Sequence, residues 1–201
     1  MRLPGFFSTD AIEFARSRRL SGPVFNSGNL GGFVAWELYP RVRTFQDARF
    51  QSYPPEHFLA IARAFESQLD WDALVSGVDW AILSRARPNA LSGVGRFPRG
   101  EWPLVYWDDG TEIVVRRDGR FGQVALDDEY LLLAPEADPA ELETWLASPL
   151  GDRLRAEARR HRADNPRGFL AAATLCLDGD ETACRALAEI TATPPAILQA
   201  P

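Results

Sequence analysis

Apolar positions recur first with alternating helix and strand periods, and later with helix periods only. Ser8 or Thr9 caps a helix expected from Asp10 to Leu20, with Ala11, Ile12 and Ala15 on its apolar side. Ser21-Gly22-Pro23 breaks it, and Pro23 to Asn26 reads as a short buried strand. After the turn Ser27-Gly28-Asn29, Leu30, Phe33, Val34 and Leu38 return at helical spacing until Pro40. Val42 to Phe45 is a second strand. A long helix follows from Pro54-Pro55, with Phe58, Ile61, Ala62, Phe65 and Leu69 on its core side. A short helical turn from Trp71 to Val75 leads into a third strand, Val78 to Leu83.

Arg85 to Gly100 is rich in Gly, Pro and Arg and reads as a loop or variable crossover. Two β-rich runs, Trp102 to Trp107 and Glu112 to Arg116, flank Asp108-Asp109-Gly110, a strong hairpin signal. After Asp127 the pattern is helical: Pro139 to Leu146, Gly151 to Ala163, Pro166 to Leu177 and Glu181 to Ile190. In the last two, Phe169, Leu170, Ala173 and Leu177 are placed to face Ala183, Leu187 and Ile190 across Asp178-Gly179-Asp180. That is a helical hairpin resembling one tetratricopeptide-type unit. The expected fold is therefore α/β: a three-layer, Rossmann-like, mostly parallel sheet with an antiparallel edge hairpin and a TPR-like C-terminal helical segment. The expected domains are 8–126 and 138–192.

Composition narrows the class. With 46% apolar and 25% charged residues, the 201-residue chain is neither disordered nor fibrous. A chain of this length buries roughly 70% of its unfolded surface and needs no metal or disulfide to fold. A net charge of −6 repels nucleic acid and anionic membranes. All 22 basic residues are arginine, which with abundant Ala, Gly and Pro reads as coding bias. The start lacks a signal-peptide core, and the longest strongly apolar run, Phe169 to Leu177, falls short of the ~20 residues of a membrane helix. The chain is expected to be soluble, without a transmembrane segment, and cytoplasmic if it stands alone.

Residue chemistry offers one candidate region. The Gly-rich turn Asn26-Ser27-Gly28-Asn29-Leu30-Gly31-Gly32 lies between strand and helix, where open α/β sheets bind ligands. Asp47 ends the next strand, as a ribose-binding acid does in dinucleotide folds. The spacing departs from G-x-G-x-x-G, so tight helix–strand packing competes with a nucleotide site. Gly93 and Gly95 form a weaker echo, with Pro98 where a third glycine belongs. Asp108 and Asp109 suit a turn, and Asp127 and Asp128 a solvated surface or a helix start. His57 and His161 have no partners at zinc spacing, and no nucleophile motif occurs. Neither a metal nor a cofactor is expected.

Cys176 and Cys184 read either as two small buried residues or as a disulfide across the last hairpin, which requires an oxidising compartment. Arg153, Arg155, Arg159, Arg160 and Arg162, interleaved with Asp152, Glu157 and Asp164, read as a solvated face, with a lipid-headgroup contact as the alternative.

Val24-Phe25-Asn26, Gly31-Gly32-Phe33, Trp36-Glu37-Leu38-Tyr39-Pro40, Asp47-Ala48-Arg49 with Tyr53, Gly77 to Leu83 and Trp107-Asp108-Asp109 occur in this order between Gly22 and Arg117. This stretch, about half the chain, resembles the soluble C-terminal domain of bacterial polytopic glycosyltransferases of the dolichyl-phosphate-mannose-protein mannosyltransferase type. The resemblance implies an extracytoplasmic accessory domain. In such enzymes the transfer chemistry sits in the membrane part, with acidic loop residues and a polyprenyl-phosphate sugar donor, none of which this chain contains. On that reading Asn26, Ser27, Asn29, Gly31, Gly32, Asp47, Arg49 and Tyr53, which cluster at the ends of the first two strands, are expected to bind an acceptor or partner, and none is expected to be catalytic. The expected partner is the membrane part of a parent chain, or a glycan or lipid-linked acceptor. The alternatives are a free-standing nucleotide or sugar-nucleotide binder using the same crevice, and an interaction module using the C-terminal helices.

Overall fold

The computed structural model describes residues 8–85 and 93–192. The chain's start, residues 86–92 of the expected loop, and the Pro194-Pro195 and Pro201 end lie outside them. The chain divides into two compact units: Met1–Tyr106 with Gly110–Glu129, and Trp107–Asp109 with Tyr130–Pro201.

The first unit runs α1 (Thr9–Ser17), β1 (Gly22–Asn26), α2 (Gly31–Leu38), β2 (Val42–Thr44), α3 (Pro55–Glu66), α4 (Gln68–Leu74), β3 (Trp80–Ser84), β4 (Leu104–Trp107, whose last residue belongs to the second unit), β5 (Thr111–Val115) and α5 (Gly122–Asp128). The fold is α/β, built on a five-stranded mixed sheet in the order β2-β1-β3-β5-β4. β1 runs parallel to β2 and to β3, with Val24 opposite Thr44 and Phe25 opposite Ala81. β3 runs antiparallel to β5, with Ile82 opposite Ile113. β4 lies beyond β5, where the Val115 N–H donates to the Pro103 carbonyl at 3.1 Å.

Alternation along the strands sends side chains to both faces of the sheet. Val24, Trp80, Ile82, Ile113 and Val115 join Ile12 of α1, Val34 and Leu38 of α2, and Ala125 of α5 in one buried cluster. Phe25 points the other way and meets Phe45, Trp71 of α4 and Phe97 at ring-centroid distances of 5.1, 5.1 and 5.5 Å. A sheet covered on both sides explains the almost continuous apolar run of β3, buried at every position.

Several helices differ from the expected ones. α1 ends at Ser17 rather than Leu20, because Arg19 adopts a left-handed φ of 54°. The Leu20 N–H then reaches back to the Ala15 carbonyl at 2.9 Å, closing the helix end. The long helix from Pro55 is interrupted at Ser67, which turns extended and whose Oγ accepts from the Asp70 N–H to start α4. Its buried stripe is Ile61 and Ala64, whereas Ala62 and Leu69 are exposed. α5 has no counterpart in the sequence expectation. Asp128, expected on the surface or at a helix start, ends α5 only 2% exposed and accepts two hydrogen bonds from Arg18, at 2.5 and 2.8 Å.

The second unit contains α6 (Pro139–Leu146), α7 (Gly151–Asp164), α8 (Phe169–Leu177) and α9 (Glu181–Ala192). α8 buries Ala171, Ala172, Thr174 and Leu175, while Phe169 and Leu177, expected to face α9, are exposed. Gly179, at φ +90°, turns the chain, and Asp180 caps α9 by accepting from the Thr182 and Ala183 N–H groups. A disulfide joins Cys176 to Cys184, with Cα atoms 4.6 Å apart.

Three of the five arginines of α7 are engaged by partners, while Arg159 is exposed. Arg153 pairs with Glu157, Arg155 with Asp178 and Asp152, and the Arg160 guanidinium lies 4.0 Å above the Tyr130 ring. Glu157, expected on the wet face, is buried. Its carboxylate accepts from three successive backbone amides, those of Leu131, Leu132 and Leu133, at 3.1, 2.9 and 2.8 Å. His161, one turn further on, is fully buried, stacked on the Trp107 indole at 3.9 Å and edge-on to Tyr130. Neither of its ring nitrogens meets a hydrogen-bond partner among the described residues. Burial, assisted by the charge of Arg160, pulls its pKa down to about 4.

Candidate functional site

The eight residues singled out from the sequence gather at the carboxyl ends of β1 and β2. They divide by what their polar atoms already do. Asn26 is completely buried and acts as a clip: its amide donates to the Ser27 and Gln46 carbonyls at 2.9 and 2.7 Å, and its Oδ1 accepts from the Phe45 N–H at 2.8 Å. These bonds tie the end of β1 to the segment after β2. Ser27 links β1 to β3, its Oγ accepting from the Ser84 N–H at 2.8 Å.

The glycines of the turn have different tasks. A Cβ on Gly31 would stand 1.8 Å from the Gln46 carbonyl oxygen, so α2 starts in contact with backbone and no other residue fits. A Cβ on Gly32 would meet nothing within 4 Å. The absence of a side chain is thus a packing requirement at Gly31 and an opening at Gly32. Asn29 is exposed and donates from Nδ2 to Ser84 Oγ at 2.9 Å.

Asp47 and Arg49 form a hydrogen-bonded pair whose charges are felt by Tyr53. Asp47 is only 2% exposed, yet its carboxylate accepts from the Arg49 backbone N–H at 2.8 Å and from the Arg49 guanidinium. The Arg49 guanidinium holds the Asp47 carboxyl below its ordinary range, against the opposing effect of burial. Tyr53 is shifted the other way, by burial first and by the Asp47 charge second. The Arg49 side chain is 70% exposed although one edge is fixed on Asp47. It therefore presents an oriented cation at the surface.

Aromatic rings flank this group. Tyr53 stacks on His57 at 4.9 Å, His57 also meets Phe45 at 4.8 Å, and Phe58 lies between Phe50 and Tyr53 at 6.0 and 6.2 Å. Burial lowers the His57 pKa, which favours the neutral ring that packs among these aromatics. Phe50 is 63% exposed. A cation beside an accessible ring surface has the chemistry to hold a ligand that combines acceptor oxygens with a flat apolar face.

Several polar residues of this end of the sheet escaped the sequence reading. Gln46 lines the clip, Ser84 receives Asn29, and Glu112, the second residue of β5, is 2% exposed against Arg85 at 3.2 Å and Arg99 at 3.9 Å. Their signal in the sequence is a polar residue ending or interrupting a buried strand, Ser84 after Trp80 to Leu83 and Glu112 before Ile113 to Val115. Among the described residues no group of three His, Cys, Asp or Glu side chains is placed to hold a metal. None of their helices is long and apolar enough to cross a membrane. No protein-family model matches the chain, and neither a curated protein nor a solved structure does.

Proposed function

We propose that the chain is a non-catalytic accessory domain of a membrane glycosyltransferase-like protein, facing the extracytoplasmic side, and that it positions an acceptor at the carboxyl ends of β1 and β2. In this reading the sheet is Rossmann-like and α8–α9 is a single tetratricopeptide-like unit. The observation that carries the proposal is the Asp47–Arg49 pair: a buried carboxylate orienting an exposed guanidinium next in sequence to the exposed Phe50. The Cys176–Cys184 disulfide supports the compartment, because such bonds persist where the surroundings are oxidising. The test is a blot of fractionated source cells with an antibody to this chain, followed by transfer assays of the intact protein carrying Asn29→Ala or Arg49→Lys. A membrane-bound species larger than 201 residues is expected, with transfer reduced and thermal stability retained. A soluble species of this length overturns the reading.

A second reading rests on the strand order. β1 has β2 on one side and β3 on the other, and open sheets bind ligands where consecutive connections diverge in this way. Ser27, Asn29 and Ser84 meet at that point, which suits a free-standing binder of a nucleotide or sugar nucleotide. Calorimetric titration of the chain with common nucleotides decides it: saturable heat supports this binder, and a flat trace removes it.

A further inference from the structure

At the end of the sheet where β1 and β2 begin, away from the acceptor residues, four arginines gather around Gly22. Arg41 precedes β2, and its carbonyl accepts from the Gly22 N–H at 2.8 Å. Arg43 stands opposite Pro23 on β2, the outermost strand. The Arg120 Nη1 lies 3.6 Å from the place that a Cβ on Gly22 would take. Arg19 follows the end of α1, three residues before Gly22, at a left-handed φ of 54°. All four side chains are exposed, and none forms an ion pair or a side-chain hydrogen bond among the described residues. Arg120 meets only the Phe121 ring, at 5.3 Å.

The paired acids of this end do not answer them. Glu37, Asp128 and Glu129 are held by Arg16, Arg18 and Arg117, at 2.8, 2.5 and 2.6 Å. Asp79 lies on the β3–β5 side, where its carbonyl accepts from the Arg116 N–H at 2.8 Å, and Asp118 follows in the turn after β5. An excess of positive charge therefore remains at the start of β1 and β2. The net charge of −6 does not cancel it, because exposed charges more than about 8 Å apart are largely screened at physiological salt.

A second feature joins the charge. The Arg41 N–H donates to the Leu38 carbonyl at 2.9 Å and closes a turn whose inner residues, Tyr39 and Pro40, are both exposed, Tyr39 to 81%. A tyrosine ring is at home at the depth of lipid headgroups, where its hydroxyl stays wet. Guanidinium forks beside it match the oxygens of lipid phosphates, and their stems tolerate the apolar side of that layer.

We infer that this end of the first unit rests on an anionic membrane surface, with Arg19, Arg41, Arg43 and Arg120 meeting lipid phosphates and Tyr39 entering the headgroup layer. The Cys176–Cys184 disulfide favours lipid over nucleic acid, because it belongs to an oxidising compartment. The inference stands apart from the acceptor site, none of whose residues lies at this end.

The test measures how the 201-residue chain partitions onto sedimented phosphatidylcholine vesicles, with and without phosphatidylglycerol, at physiological salt. Binding is expected only where phosphatidylglycerol is present. Arg41→Gln combined with Arg120→Gln lowers the partition coefficient about 25-fold, since each arginine near an anionic surface contributes about fivefold. Tyr39→Ser lowers it by a smaller factor. Arg159→Gln combined with Arg167→Gln removes the same charge from exposed positions of the second unit and leaves partition within about twofold. The changed side chains are exposed, and thermal melting of each variant confirms that it folds. Absence of binding to the anionic vesicles overturns the proposal. Equal loss in the two double variants reduces the effect to net charge and overturns it as well. Binding to single-stranded RNA that Arg41→Gln with Arg120→Gln abolishes, without binding to vesicles, overturns it in favour of a nucleic acid.

Discussion

Asp47 in the first unit and His161 in the second are both buried and both titratable, and the protein treats them in opposite ways. Asp47 is surrounded by donors, so burial is compatible with its charge, and its pKa falls below the ordinary value. His161 has rings on two sides and no hydrogen-bond partner among the described residues, so burial is compatible only with its neutral form. A buried charge that receives several hydrogen bonds, one of them from an exposed arginine, acts on what lies outside it. A buried neutral imidazole acts on its own unit, whose stability it makes dependent on pH. Asp47 thus orients a cation at the surface, whereas His161 belongs to a core.

The largest effect expected from breaking this contrast is at Glu157, the second unit's counterpart of Asp47. Its carboxylate receives three backbone amides and Arg153. Glu157→Ala leaves those donors without an acceptor and should cost about 4 kcal/mol, since charge-assisted bonds contribute roughly 1.5–3 kcal/mol each and are not additive. Urea denaturation measures the loss. A change below about 1 kcal/mol would mean that water replaces the carboxylate and that residues 131–133 are not anchored by it.

The next effect is acid sensitivity. The His161 pKa is about 4 in the fold and 6.5 in the unfolded chain. Between those values the unfolded state binds a proton that the folded state refuses. The contribution of neutral His161 is thus complete above pH 6.5 and declines as pH falls through the window. By pH 4 it has declined by about 3 kcal/mol at most, at 1.36 kcal/mol per pKa unit. His161→Phe keeps the stacking on Trp107 and removes the proton. Denaturation of the two proteins at pH 7 and pH 4.5 should show a gap that widens in acid. Parallel curves would remove the histidine as the cause.

How far this was legible beforehand follows the range of the interactions. Hydrophobic period and turn chemistry act over a few residues, and they located β1, β3, the β4–β5 hairpin and the four C-terminal helices within a few residues. Where competing local signals were close in strength the reading failed. Ser67 interrupts a helical pattern that continues to Leu69, and α5 begins at Gly122 without a side-chain cap. The buried face of α8 is offset by about one residue, because a run of apolar residues from Phe169 to Leu177 has almost no polar position to mark the wet side. Glu157 and Asp128 were read from their neighbours in sequence, whereas their partners lie 24 to 26 and 110 residues away. The candidate site was more legible than these, because Asn26, Asn29 and Asp47 sit where strand ends must turn, and Arg49 lies only two residues from Asp47.

A smaller effect separates orientation from stability within the first unit. Asp47→Asn keeps the shape and some hydrogen bonds but removes the charge that fixes Arg49. Most of the Arg49 side chain is in water, so the stability cost should be only about 1–2 kcal/mol. The deeper consequence is rotational freedom of the guanidinium, visible as loss of a slowly exchanging Arg49 Nε–H signal in NMR. An unchanged signal would show that Tyr53 and the local turn, not the carboxylate, hold the side chain.

The smallest effect on folding is expected at Asn29, where the comparison is sharpest. Its single described bond, to Ser84 Oγ at 2.9 Å, is made by an exposed side chain in competition with water. Asn29→Ala should change stability by less than about 0.5 kcal/mol, as surface substitutions usually do. Asn26, three residues earlier and buried with three backbone partners, should tolerate no such change. If Asn29→Ala also abolishes acceptor transfer in the intact protein, the turn has two separable layers, an inner one that folds the sheet end and an outer one that binds. Loss of stability comparable to that of Asn26→Ala would merge the two layers and make the whole turn a packing device.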